Sequence, residues 1–209
     1  MWPLLLTVGV VGAGAVVFTL FTGNERIRRT LRNMPAKKIG ELSDDERAKI
    51  VGRVRALGEA LEAPISGRRC VAYSVSVVEQ EQNASHIRET KAVAFVVEDG
   101  SGRALVDPTA ARIAIDGGPS VQTGTLHDPT PAAEDLLLRH GKRPRHGVLY
   151  REAVITDGES IAVLGAGTRE PDPDAPPTEA YRGDARTRLR LTSSRKYPLV
   201  ISDDPSALK

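Results

Sequence analysis

The residues able to do chemistry are few. Cys70 is the only cysteine in 209 residues, and the histidines are His86, His127, His140 and His146. A thiolate nucleophile needs a depressed pKa and a nearby base. Cys70 instead falls in the apolar alternation around Val71, Ala72 and Tyr73, which predicts a buried structural residue. No two histidines stand at the i, i+4 spacing of a helical zinc pair, and no H-E-x-x-H occurs. One thiol cannot furnish a zinc ribbon, finger or RING, nor close an intramolecular disulfide. There is no G-x-S-x-G elbow, so Ser66 and Ser101 read as turn residues. The one patterned carboxylate is Glu152, in Tyr150-Arg151-Glu152. On an alternating strand, Arg151 and Glu152 are expected to form a solvated or cross-strand ion pair. These residues predict no catalytic group, no metal site and no cofactor.

Charge points elsewhere. The whole chain carries a formal net charge of +2, and 27% of its residues are charged, which argues against wholesale disorder. Met1 to Asn24 contains no charged side chain. Arg26, Arg28, Arg29, Arg32, Lys37 and Lys38 follow, opposed only by Glu25, for a local net charge of +5 and a remainder of −3. The basic balance is a local feature and not a nucleic-acid footprint. Two further basic patches, Arg139 to His146 and Arg182 to Lys196, have only Tyr181 and Tyr197 available for base stacking and read as solvated loops. Lying against anionic lipid is the other reading of these arginines.

Trp2 to Thr22 reads WPLLLTVGVVGAGAVVFTLFT. As a helix it would extend about 30 Å, one hydrocarbon core. Trp2 suits an interfacial anchor. A cleaved signal peptide is the competing reading. It is disfavoured because no Lys or Arg precedes the apolar run, and Ala13-Gly14-Ala15 falls in its middle. The basic flank predicts a single-pass protein with its N-terminus outside and its soluble domain in the cytoplasm. The six basic residues are then candidate contacts to anionic headgroups. Gly9 and Ala13 make a small-xxx-small pair suited to homo-oligomerisation through the span. The surrounding Gly9-Val10-Val11-Gly12-Ala13-Gly14 lacks the G-x-G-x-x-G order of a nucleotide loop.

The rest must fold around Val, Leu, Ile and Ala, since only five aromatics follow the apolar run: Tyr73, Phe95, Tyr150, Tyr181 and Tyr197. The expected division is a span over 1–24, a basic linker over 25–42, a β domain over 43–203 and a tail over 204–209. Ser43-Asp44-Asp45-Glu46 fits a capping box, but Gly52 and Gly58 do not sustain a helix. Alternation predicts strands at Lys49–Leu57, Arg69–Glu79, Lys91–Glu98, Arg103–Asp107 and Arg112–Asp116. In the second of these, Val71, Tyr73, Val75 and Val77 would share one face, and Cys70, Ala72, Ser74 and Ser76 the other. Ala63 to Gly67 and Asp99 to Gly102 read as turns. Gln80–Glu89 and Gly117–Pro131 read as loops, and 168–186 as an extended loop. Ala132 to His140 is the helix candidate, closed by Gly141. Val148–Ile155 and Ser160–Leu164 are expected to pair as a hairpin, followed by strands at Arg188–Leu191 and Pro198–Ile201. Many short strands and one helix predict a mainly β fold, a small partly closed barrel of OB type.

Three stretches carry a resemblance. Leu61 to Tyr73 is similar to the L-x-A-P-x-S-G-x-x-C-V-x-Y run of the GIDE, or beside-a-membrane, domain. Phe95 to Gly102 with Ala104 to Pro108 resembles its central hairpin, and Tyr150 to Ile155 with Gly158 and Val163 to Gly165 its late one. The resemblance covers roughly Lys38 to Asp203. Its motif positions are Pro64, Ser66, Gly67, Cys70, Tyr73, Asp107, Pro108, Tyr150, Glu152, Gly158 and Gly165, expected to be structural. Better-known members of the family are mitochondrial E3 ubiquitin and SUMO ligases, in which a RING carries the ligase activity. A sequence with one cysteine resembles a prokaryotic, RING-less member. The expected function is a non-catalytic, membrane-anchored interaction module, binding a protein, a peptide or lipid headgroups. The alternative that the resemblance implies is a component of an E3-ligase-like or stress-response system.

Overall fold

The computed structural model describes residues 25–79, 86–115, 122–126, 131–142, 148–174 and 187–209. Residues 25–32 are helical (α1). The strands are β1 (Ala48–Ala56), β2 (Leu61–Glu62), β3 (Arg69–Cys70), β4 (Ala72–Glu79), β5 (His86–Ala92), β6 (Phe95–Glu98), β7 (Arg103–Val106), β8 (Arg112–Ala114) and β9 (Gln122–Leu126). Helix α2 (Pro131–Arg139) follows, then β10 (Val148–Ile155), β11 (Ser160–Pro171), β12 (Thr187–Thr192) and β13 (Val200–Ser202).

The fold is mainly β. Five strands close a ring in the order β1-β6-β7-β12-β11 and back to β1. Every junction in the ring is antiparallel except β7 with β12. Ile50, Val54, Phe95, Val97, Val106, Ile161, Val163, Leu189 and Leu191 fill the ring. Aliphatic side chains dominate, as the scarcity of aromatics demands. β13 pairs with β11, and β8 continues that sheet as its edge.

A second, antiparallel sheet has the order β5-β4-β10-β9. Ala133, Leu136 and Leu137 of α2 pack on Tyr73, Val75, Val77 and Val154. Gly141, at φ 68, ends α2 as expected, with Lys142 N–H donating to the Leu137 carbonyl at 2.8 Å.

A third cluster lies outside the ring. Ile27 and Leu31 of α1, with Met34, meet Ala162, Leu164, Val200, Ala207 and Leu208. Alternation along β11 explains the division: Ile161 and Val163 face into the ring, Ala162 and Leu164 face α1. The segment expected to be a linker is therefore part of the domain. Ile39 N–H donates to Asp99 at 2.9 Å, and Arg169 Nη2 donates to the carbonyls of Ile39, Gly40 and Leu42 at 3.0 to 3.1 Å. The tail joins it too. Lys49, fully buried on β1, donates to the Ala207 and Lys209 carbonyls at 3.2 and 2.7 Å.

Several expectations are corrected. The capping-box geometry is partly made, with Ser43 N–H on Glu46 at 3.1 Å, but no helix follows because Asp45 turns the chain at φ 59. The polar 80–89 stretch is not all loop: from His86 it forms edge strand β5. Lys91–Glu98 is split between two sheets at Val93, whose N–H bonds back to Val71. Part of the 117–131 loop is β9, and 168–171 belongs to β11. β10 and β11 do not pair with each other. They lie in different sheets, and the 156–159 turn between them is tied to β1 through Val54 N–H to Glu159 and Gly158 N–H to Val54, both at 2.8 Å. No described helix is long and apolar enough to cross a membrane, and Trp2–Thr22 lies outside the described residues.

Candidate functional site

The 61–73 run forms one local unit. β2 and β3 pair through Leu61 with Cys70 and Glu62 with Arg69. Between them the chain reverses, with Gly67 N–H bonded to the Ala63 carbonyl at 2.8 Å and Gly67 itself at φ 67. Pro64 is buried and Ser66 half-buried at this turn. The turn leaves the Ile65 and Ser66 amides pointing away from the chain. Glu152 on β10 accepts both, at 2.7 Å from Ile65 and 3.0 Å from Ser66.

Glu152 is only 1% exposed. Of the two alternatives expected for Glu152, the solvated one is thereby corrected. Burying a carboxylate costs several kcal/mol, roughly, unless charge-assisted bonds offset it. The two amides supply such bonds, so the acid works as a clamp between β10 and the turn. Alternation carried the signal for this: Tyr150, Glu152 and Val154 share a face, and Tyr150 and Val154 both belong to the second core.

Cys70 is 2% exposed. It packs with Tyr73, Val75 and Val77 in the second core and not with Ala72, because the bend at Val71 shifts the strand phase between β3 and β4. Burial first, then the Glu152 carboxylate, push its thiol up to about 11. A protonated, enclosed thiol is a poor nucleophile.

A second acid sits on the far side of the same core. Glu89 on β5 accepts from Tyr73 Oη at 2.5 Å and bonds His140 Nε2 at 3.1 Å. Lys91 lies 3.1 Å and Arg139 3.7 Å away. Burial alone would raise the Glu89 pKa, but the bonds from Tyr73, Lys91 and His140 outweigh it and hold the carboxyl at about 2. Burial and the same carboxylate push the Tyr73 phenol up. Glu89 thus joins β4, β5 and the end of α2. Nothing in the sequence marks it, because a Glu in a polar stretch has no pattern of its own.

The other motif positions are scattered. Asp107 accepts from Thr109 N–H at 3.0 Å and pairs with Arg190 at 3.7 Å; the bonds from the Thr109 side chain and then its N–H hold the carboxyl below the usual range. Pro108 lines a cleft beside β5. Gly158 turns at φ 81. Gly165 lies where a Cβ would come 2.6 Å from Leu199 Cδ1. Tyr150 packs half-buried on the second core.

The six basic residues that follow the apolar run are not equivalent. Arg26, Arg29 and Arg32 are exposed, on the side of α1 away from Ile27 and Leu31. Arg28 is turned inward, 2.8 Å from both Glu25 and Asp204. Lys37 pairs with Glu46 at 2.5 Å, and Lys38 is exposed. Of the two other basic patches, 143–147 and 182–186 lie outside the described residues. Arg188 and Arg190 are balanced by Glu170, Asp172, Asp174 and Asp107. His127 and His146 also lie outside the described residues. Among the described residues, no three metal-ligating side chains gather.

No family model, no curated protein and no solved structure matches the chain.

Proposed function

We propose that the protein is a non-catalytic interaction module held at a membrane surface. Trp2–Thr22 would span the bilayer, and the β domain would stand on its cytoplasmic face. The ring, with one parallel junction among antiparallel ones, is read as an OB-type barrel, a fold that presents binding surfaces on a closed sheet. The observation that carries this reading is α1. Its apolar side is packed on the barrel while Arg26, Arg29 and Arg32 face outward. A basic helix fixed to a domain directly after an apolar run suits contact with anionic headgroups.

Two measurements test it. Reporter fusions after Lys209, one a fluorophore active in the cytoplasm and one a phosphatase active outside it, should give the cytoplasmic signal. An external signal would remove the topology. Hydrogen exchange on the full chain in nanodiscs should show slower exchange over 25–32 when phosphatidylglycerol is added to a zwitterionic bilayer. The change should vanish in the Arg26→Gln, Arg29→Gln, Arg32→Gln chain. Equal exchange in both bilayers would remove the lipid contact.

The GIDE resemblance supports a second reading, an accessory of a ubiquitin-like conjugating or stress-response system. Its favouring observation is that Pro64, Ser66, Gly67, Cys70 and Glu152 meet in one hydrogen-bonded unit. Ligase chemistry would come from a separate RING protein. Crosslinking in native membranes that recovers no RING or conjugating protein would count against it.

A further inference from the structure

β5 is a strand with one neighbour. It ends the four-stranded sheet, and among the described residues no strand pairs with its outer side. Its seven residues make it longer than the other open edges, β8 and β9. A cleft of about 610 Å³ runs beside it, lined by Arg88, Thr90, Lys91 and Ala92 on the strand side and by Pro108 and Ile113 among others on the far side.

The backbone of β5 is sorted by parity. In an antiparallel pair, opposite residues alternate between exchanging two hydrogen bonds and exchanging none. Val93 N–H bonds the Val71 carbonyl at 2.9 Å, one step beyond the Ala72–Ala92 pair. Ile87, Glu89 and Lys91 therefore point their amides at β4. Arg88, Thr90 and Ala92 point theirs outward, into the open edge. The Thr90 and Ser74 hydroxyls agree: they stand 3.2 Å apart across the strands, the close approach of a pair without mutual backbone bonds. Side chains divide in the same way. Ile87 enters the second core and Glu89 meets His140 of the α2 end, so the odd residues take the α2 face.

Charge selects one register. A second copy can add antiparallel to this edge about a two-fold axis normal to the sheet, which pairs like faces and brings outward amides to outward amides. An axis through Arg88, Glu89 or Lys91 sets that charge directly against its own copy, which is unfavourable. Axes nearer the strand ends leave much of the edge unpaired. An axis through Thr90 sets Glu89 against Lys91 of the second copy twice, Arg88 against Ala92 twice, and Thr90 against itself. The two Arg88 residues then lie about 13 Å apart along the strands. An edge lysine ordinarily discourages pairing. Here Lys91 lies 3.1 Å from Glu89 in its own chain and would meet Glu89 of the second copy as well, closing a ring of four alternating charges. We infer that two copies of this chain join by antiparallel pairing of β5 about Thr90, merging two four-stranded sheets into one. Backbone bonds from Arg88, Thr90 and Ala92 supply the association, and the charges fix its register. This pairing needs neither the membrane span nor the lipid contact proposed above.

The test is sedimentation equilibrium of the full chain in density-matched detergent over a range of concentrations, with circular dichroism to confirm that each variant is folded. The expected result is a monomer–dimer equilibrium. Thr90→Pro removes an outward N–H that β4 does not use, so the fold should stand while dimerisation weakens at least tenfold. Lys91→Glu, which sets acid against acid, should weaken it by a similar factor. Thr90→Cys should form a disulfide-linked dimer under mild oxidation and Arg88→Cys should not, since only residue 90 meets its own copy. The Gly9→Leu, Ala13→Leu chain and the Arg26→Gln, Arg29→Gln, Arg32→Gln chain should both dimerise unchanged, which separates this contact from the span and from lipid. A chain monomeric at every concentration would overturn the inference and leave β5 open to a strand of another protein. So would a dimer that persists in Thr90→Pro, or one that is lost in the Gly9→Leu, Ala13→Leu chain.

Discussion

Glu152 and Glu89 are both carboxylates against the second core, and they hold it by different means. Glu152 meets two backbone amides of a turn, so removing it strands both donors. Each unsatisfied buried group costs about 1–3 kcal/mol. Glu152→Ala should destabilise the chain by roughly 3 kcal/mol, on the order of 10 °C in Tm for a domain of this size. Glu152→Gln keeps one acceptor and should lose less. Thermal unfolding of the full chain in detergent reads both. Glu89 meets side chains, so its effect depends on pH. Its folded pKa, about 2, lies below the ordinary 4.5. As pH falls, the unfolded chain takes up this proton first, so the stabilisation is complete above about 4.5 and is lost as pH drops toward 2. Glu89→Gln should flatten the stability profile across that window while leaving the slope above it unchanged. At this scale the sequence was half legible. Glu152 belongs to a period-two face that alternation exposes, whereas Glu89 depends on α2 arriving from another part of the chain, a placement no local pattern encodes.

Strand positions were legible because alternation and turn residues are local; partners were not. The Thr156–Glu159 turn has hairpin composition, yet β10 and β11 separate into different sheets, since Ile155 and Ile161 both enter the barrel core from opposite sides of that turn. β11 is the element that makes closure work. It pairs with β1 up to Gly165 and with β12 from Ala166 onward. A strand that changes partners must bend, and small residues permit the bend. A Cβ at Gly167 would lie 2.1 Å from the Arg190 carbonyl oxygen, on backbone that cannot yield. At Gly165 the neighbour is Leu199 Cδ1, the end of a movable side chain. Gly167→Ala should therefore cost more than Gly165→Ala, about 1–3 kcal/mol against a smaller loss. The ranking of their unfolding midpoints checks this. A reversed ranking would mean that β11 bends elsewhere. The motif resemblance marked Gly165, while the tighter constraint falls two residues later.

For the whole molecule, the question is whether the basic segment is a tether or a part of the body. Composition suggested a tether, because arginines dominate it. The apolar residues Ile27, Leu31 and Met34 among them are too few to read as a core stripe without knowing that β11 turns Ala162 and Leu164 outward to meet them. In the folded chain Leu31 is fully buried and Arg28 joins Glu25 and Asp204. Leu31→Asp places a charge against an apolar cluster and should release α1, seen as fast amide exchange over 25–32 while β4 and β10 stay protected. Arg28→Gln should lower stability by about 1–3 kcal/mol, since it removes charge-assisted bonds. It should leave the response of α1 to anionic lipid in place, because Arg28 does not face outward. Arg26→Gln should do the opposite, weakening the lipid response at unchanged stability. A tether predicts the same small effect for both arginines, since neither would touch the domain. A docked helix predicts the split.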